Sequence, residues 1–219
     1  MRAWTIARKG PFQEVLIQHS SLAAPPPPTN HELLIKIAYT SINHADLSSV
    51  DLLPSFLIPQ NSILGIDLSG TIVAVGPEVS KQDSKNPYPA FKVGDKVFGH
   101  NSVANILKGW GTLAEYVNVD ARTAKLRVVP KGLSMAEAGG LGVAGFTAAE
   151  AVDRLKIRGG ERVLVNGVSG GCGTVLVQAL KGLGVKQVVG ICSGKNEELV
   201  KGLGTDKVLL YSLSHLFGF

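Results

Sequence analysis

The chain has 219 residues, with 22 Lys and Arg against 17 Asp and Glu, a net charge of +5, 26 glycines and two cysteines. Apolar residues make up 45% and charged residues only 18%, which excludes a disordered or polyelectrolyte chain. Two cysteines cannot build a disulfide framework, and no zinc-knuckle spacing occurs. Basic residues are scattered singly without a block of like charge, so neither nucleic acid nor an anionic membrane surface is an expected partner. No apolar run approaches the ~20 residues that span a bilayer, and the N-terminal M-R-A-W-T-I-A lacks a signal-peptide core. A soluble, cytoplasmic, glycine-rich globular protein is the expected class.

In chain order, the N-terminus reads directly into a strand. The run Pro25–Pro28 reads first as a stiff, extended lead-in to the next strand, and second as a polyproline ligand for a partner domain. Strands are expected at Leu33–Tyr39, Leu68–Val75, Lys96–Gly99 and Leu113–Val117, from β-branched runs bounded by Gly, Pro and Asn turns. The polar stretch 81–89 reads as a surface loop. This pattern predicts a folded-over antiparallel β-domain over residues 1–130.

The pattern changes near residue 134. Ser134 followed by Glu137 is a capping box that opens a helical stretch. A second helix is expected at Thr147–Leu155, ending at Gly159 and Gly160. Arg162–Asn166 then reads as a continuous apolar strand of the buried parallel type. A helix (Thr174–Leu183), a strand (Gln187–Cys192), a helix (Asn196–Leu203) and a third strand (Lys207–Tyr211) follow. Residues 131–219 are therefore expected to form a β-α-β-α-β unit with a three-strand parallel sheet, one mononucleotide-binding half of a doubly wound domain.

Gly167, Gly170 and Gly173 are spaced G-x-x-G-x-x-G between a strand and a helix. A sharp turn, a close approach of backbone to pyrophosphate and tight helix–strand packing each disfavour a Cβ. The helix start then offers free N–H groups and a favourable dipole to a phosphate. Past the second strand, an NAD site would carry Asp or Glu for the ribose hydroxyls. Here Ser193 and Lys195 stand instead, and a hydroxyl with an ammonium favours a 2′-phosphate, hence NADP(H). The competing reading of Lys195 is a solvent-exposed loop lysine.

His44 and Asp46 lack a Cys or second His at ligand spacing. His19, His31, His100 and His215 are isolated and read as surface residues. Cys172, near a helix N-terminus, reads as a small packing residue before a reactive thiol. Without a G-x-S-x-G elbow or paired catalytic carboxylates, hydrolase chemistry is not expected.

Six ordered segments resemble the zinc-free quinone oxidoreductase branch of the medium-chain dehydrogenase/reductase superfamily. They are S-I-N-H-A-D (41–46), L-G-I-D-L-S-G (64–70), F-K-V-G-D-K-V-F-G (91–99), G-T-L-A-E-Y-V (111–117), G-F-T-A-A-E-A (145–151) and V-L-V-N-G-V-S-G-G-C-G (163–173). The resemblance implies a GroES-like β-domain followed by an incomplete, first-half Rossmann domain, with the cofactor in the cleft between the two. Zinc-dependent relatives carry a cysteine where Asn43 stands and Gly-His-Glu where Gly65, Ile66 and Asp67 stand, so no metal is expected. The implied activity is NADPH-dependent reduction of an enone, a quinone or another activated C=C.

By family position Asn43 lies near the nicotinamide and Thr147 on its ribose or phosphate side, the two expected catalytic residues. Gly167, Ser169, Gly170, Gly171, Cys172 and Gly173 form the pyrophosphate turn, and Ser193, Lys195 and Tyr211 surround the 2′-phosphate. Gly142 and Ala148 depart from the proline and tyrosine of many relatives. The resemblance further implies a chain truncated at its C-terminus, with a small electrophilic acceptor, and a homo-oligomer or a completing chain, as partners. The alternative expectation is a truncated, non-catalytic member acting as a binding protein, or a fragment without function.

Overall fold

The computed structural model describes residues 1–6, 8–52, 58–79 and 90–211. The expected loop at 81–89, His215 and the last eight residues lie outside the described residues. Contacts divide the chain into two compact units, Met1–Val143 and the remainder from Ala144.

The first unit is built on antiparallel sheets. Strand β1 (Ala3–Ile6) is central in a three-stranded sheet between β2 (Ile17–His19) and β4 (Ser62–Ile63). A short helix α1 (Phe12–Val15) connects β1 to β2. The larger sheet has the order β7-β3-β5-β6-β8, with β3 Glu32–Tyr39, β5 Asp67–Val75, β6 Lys96–His100, β7 Tyr116–Asp120 and β8 Lys125–Val128. Alternation in β3 sends Leu33 and Ile35 inward, where they pack with Leu68, Ile72, Val97, Val117, Val119 and Leu126. Two helices lie between strands: α2 (His44–Leu52) after β3, and α3 (Val103–Leu107) after β6, the latter capped by the Ser102 hydroxyl accepting from the Asn105 N–H.

Three of the four expected strands fall where alternation put them. The fourth, Leu113–Val117, instead begins at Tyr116. Thr112 and Leu113 give their N–H groups to the carbonyls of Gly65 and Leu64, and Ala114 forms a single bridge with Ala3. That stretch is thus stitched to the smaller sheet before the chain joins the larger one.

Helix α4 (Met135–Gly139) opens with the expected capping box. Ser134 Oγ accepts from the Glu137 N–H at 3.2 Å, and the Glu137 carboxylate accepts from the Ser134 N–H at 2.9 Å. The Ser134 hydroxyl also donates to that carboxylate at 2.6 Å, and this bond together with the one from the Ser134 N–H holds the Glu137 carboxyl below the usual carboxylate range. Helix α4 packs on β3, β5 and β6.

The second unit is a βαβαβ arrangement in the strand order β11-β10-β9, the 3-2-1 order of a first Rossmann half. Its elements are α5 (Val143–Arg154), β9 (Arg162–Asn166), α6 (Gly171–Gly182), β10 (Gln187–Ser193), α7 (Glu197–Gly202) and β11 (Lys207–Tyr211). All three strands pair in parallel, with Val189 opposite both Leu164 and Lys207. Helix α5 starts four residues earlier than expected and α6 three. The expected helix at Asn196 opens as a 3₁₀ turn, Gly194–Asn196, before α7.

One face of this sheet is covered. Val165, Val188 and Cys192 are buried with Val177 and Leu180 of α6 and Val200 of α7. The other face carries Leu164, 61% exposed, and Leu209, 42% exposed. The reading of β9 as a strand buried on both sides is therefore corrected: Val163 and Val165 face the helices, while Leu164 faces away from them. No helix among the described residues is long and apolar enough to cross a membrane.

Candidate functional site

In the second unit the expected cofactor residues gather at the C-terminal ends of the parallel strands. Gly167 follows β9, Ser193 ends β10, and Tyr211 ends β11 directly opposite Ser193 in the register. This is the edge of an open α/β sheet at which ligands bind.

The glycine turn separates into distinct roles. Gly167 has φ +72, a left-handed conformation that favours glycine. A Cβ on Gly173 would lie 2.4 Å from the Gly167 carbonyl oxygen, so the first turn of α6 can close on β9 only without a side chain there. A Cβ on Gly171, in contrast, would meet nothing within 4 Å. Geometry therefore demands glycine at 167 and 173, whereas at Gly170 a Cβ would meet only the Gly167 carbonyl oxygen, at 3.3 Å, so the expectation of an excluded Cβ is met most weakly there.

Gly170 is the N-cap of α6 and supplies no side chain to its first N–H groups. The helix start keeps donors and a positive dipole end available to an anion. Cys172 is exposed on this first turn, while Cys192 is buried in the core.

Ser193 and Ser169 are joined through a residue that sequence reasoning missed. Asn196 Nδ2 donates to Ser169 Oγ at 3.1 Å and to Ser193 Oγ at 3.2 Å. Asn196 sits in the 3₁₀ turn beside exposed Lys195, so one amide fixes both hydroxyls and the loop that carries the ammonium. The only signal in the sequence was an Asn placed three residues after Ser193.

In the first unit, Asn43 directly precedes α2. Its N–H donates to Asp46 Oδ2 at 2.7 Å, half of a capping box made by an N-x-x-D spacing. The side-chain Nδ2 of Asn43 is buried and has no partner of hydrogen-bond geometry among the described residues. Asp46 is 2% exposed. Burial, with the nearby Asp67 charge adding to it, pushes its carboxyl up from 3.8 to about 6, against the pull of the Asn43 N–H and of the Asn43 side-chain amide beside it.

Asp67 is also buried and takes two donors. Ser41 Oγ donates to Oδ2 at 2.7 Å, and the Val143 N–H donates to Oδ1 at 2.8 Å. Ser41, Asn43, Asp46, Asp67 and Val143 form one polar cluster in which sequence reasoning had assigned a catalytic role only to Asn43. Among the described residues no three His, Cys, Asp or Glu gather as a metal site. Thr147 is exposed on α5 and Ala148 is buried.

A GroES-like β-domain followed by a three-stranded Rossmann half defines an architecture of dehydrogenases and reductases. Residues 29–131 match the alcohol dehydrogenase GroES-like domain family. The chain is 32% identical over 216 residues to the 2-methylene-furan-3-one reductase of Solanum lycopersicum, covering 97% of this chain and 52% of that protein. It is 35% identical over 203 residues to the chloroplastic quinone-oxidoreductase homolog of Spinacia oleracea, covering 89% of this chain and 56% of that one. Mycobacterial Rv1454c complexed with NADPH superposes with a TM-score of 0.70 at 27% identity, covering 97% of this chain and 59% of that one. The chain is thus similar along nearly all its length to reductases and quinone-oxidoreductase homologs, and residues 29–131 carry the alcohol dehydrogenase GroES-like domain. It spans about half the length of the curated relatives it matches.

Proposed function

We propose that this chain binds NADP(H) and serves zinc-independent hydride transfer to an electron-poor C=C or a quinone. The observation that carries the reading is the end of β10. Ser193 and Lys195 stand where a ribose-binding carboxylate would be, and Asn196 ties Ser193 to Ser169 of the glycine turn. A 2′-phosphate is repelled by a carboxylate and bound by an ammonium with hydroxyl donors.

The described residues fit such a cofactor. Gly173 lets the first turn of α6 close on β9, and that turn has donors that no side chain occupies. Gly167, Ser169, Gly170, Gly171, Cys172 and Gly173 would hold the pyrophosphate. Ser193, Lys195 and Tyr211 would hold the 2′-phosphate and its adenosine. When bound, NADPH supplies the hydride.

The protein's part is to bind and orient. Asn43 is held in place by its N–H bond to Asp46, and its side-chain amide, which lies beside the same carboxyl, is a donor suited to positioning a carbonyl on the cofactor or the acceptor. Thr147 offers an exposed hydroxyl for the ribose or phosphate side. The tomato relative is a reductase of an enone by its name, and the spinach relative is named for quinones. Both support a small electrophilic acceptor. A cytoplasmic address is part of the same reading.

Because the chain spans about half of its relatives, binding is the sharper test than turnover. The test titrates 2′,5′-ADP and 5′-AMP against the chain and its Lys195→Ala variant by calorimetry. The 2′-phosphorylated ligand should bind at least tenfold tighter, and the variant should lose 10- to 100-fold, about 1.5–3 kcal/mol for a charged hydrogen bond. Equal binding of the two nucleotides would remove Lys195 and Ser193 from the site.

A further inference from the structure

The β-domain carries a concave site that the proposed function does not use. A cavity of about 250 Å³ opens between the Ala23–Pro26 stretch, Gln60 and Asn61, and the loop Lys108–Gly111, with Tyr116 and Asn118 of β7 along one wall. None of the residues assigned to the cofactor lines it.

Trp110 is fixed by its backbone. Its N–H donates to the Asn105 carbonyl at 3.0 Å, while the flanking Gly109 carbonyl and Gly111 N–H bond to Ile63 at 2.9 and 3.0 Å. Its side chain stays 42% exposed, with the Lys108 ammonium 5.4 Å from the ring centroid. Asn118 Nδ2 donates to the Pro26 carbonyl at 2.8 Å, which fixes the direction of the amide. Asn118 Oδ1 is buried and has no partner among the described residues, an uncompensated acceptor of the kind that a ligand or water satisfies. No Asp or Glu lines the cavity.

These features specify a ligand class. An aromatic plane held by its backbone matches a planar ring, a cation without a carboxylate neighbour matches an anion, and an orphaned acceptor matches a donor. The volume lies at the small end of ligand sites and suits a single substituted ring. We propose that this cavity binds a small aromatic carboxylate bearing a hydrogen-bond donor. The ring packs against Trp110 and Tyr116, the carboxylate pairs with Lys108, and Asn118 Oδ1 is the acceptor for the donor group.

The chain has two tryptophans, so Trp4→Phe leaves Trp110 as the only one, to be excited selectively at the red edge beyond tyrosine absorption. In this variant 4-hydroxybenzoate should change the emission saturably, with the same Kd in the presence of saturating 2′,5′-ADP. The neutral 4-hydroxybenzyl alcohol should bind at least tenfold more weakly, and Lys108→Met should weaken the acid by a similar factor. No saturable change, displacement by 2′,5′-ADP, or equal affinity for acid and alcohol would each overturn the assignment. The acid-to-alcohol comparison needs no change at Lys108, so it decides the matter even if Lys108→Met folds poorly. Nothing in this test depends on cofactor binding, so its failure and a failure of the NADP(H) reading remain separate results.

Discussion

The Asp67 carboxylate accepts the backbone N–H of Val143 at 2.8 Å, a bond within the first unit that fixes its last residue to the start of β5. Gly142 lies just before that N–H. A Cβ there would lie 2.3 Å from Asp67 Oδ1 and 2.6 Å from the Gly99 carbonyl oxygen. The glycine and the carboxylate contact therefore belong together. Gly142→Ala should destabilise the chain by about 2–4 kcal/mol, because the side chain of Asp67 is buried and cannot swing aside. Urea unfolding checks this, and a midpoint equal to that of the parent would show that the contact yields freely.

Asp46 makes stability depend on pH. Its carboxyl is raised from 3.8 to about 6 in the folded chain, so between those values the folded state holds a proton that the unfolded state has released. Its contribution is fully present below about pH 4 and is lost as pH rises through 6, by up to about 3 kcal/mol. Asp46→Asn keeps an acceptor for the Asn43 N–H and removes the titration. Unfolding at pH 4.5 and pH 8 should show a smaller loss in the variant than in the parent. Identical losses would mean that Asp46 is ionised at both pH values.

The Ser134–Glu137 box is exposed, and its worth lies in the N-cap. Ser134→Ala should cost about 1 kcal/mol, seen as a lower urea midpoint with an unchanged slope. Stability from Glu137 is present above its unfolded pKa and is lost as pH falls through its depressed folded value. An alanine variant as stable as the parent would show that α4 is held by packing on β3 and β5 alone.

Leu164 and Leu209 face away from α6 and α7 on the three-stranded sheet, with Val189 and Ile191 of β10 on the same face by alternation. An exposed apolar face of this kind favours self-association. Light scattering should find a larger, concentration-dependent mass for the parent than for Leu164→Glu. The same monomeric mass for both would remove this face as a contact between copies.

Much of the fold was legible because its signals are local. Alternation at Leu33–Tyr39, the box at Ser134 and Glu137, and the apolar runs at 162–166 and 207–211 each state their period within a few residues. The start of β7 was not legible, because Thr112 and Leu113 are held by the carbonyls of Gly65 and Leu64, nearly fifty residues away. The solvent-facing Leu164 was misread for a related reason: an apolar run announces a strand but not which neighbours cover it. In the site, the glycine turn and Ser193 follow a known spacing. The Asn196 bridge and the Ser41–Asp67–Val143 cluster arise from tertiary contacts that no spacing encodes. Asp46 lay between the two cases, since the N-x-x-D spacing was visible but the burial that raises its pKa was not.

The central claim is NADP(H) binding at the ends of β9, β10 and β11, and the most direct measurement is a thermal-shift and fluorescence titration with NADPH and NADH. The account predicts a cooperative melt, a saturable rise in melting temperature with NADPH, a much weaker response to NADH, and loss of that preference in Lys195→Ala. Equal responses to the two cofactors, or no response to either from a chain that melts cooperatively, would contradict it.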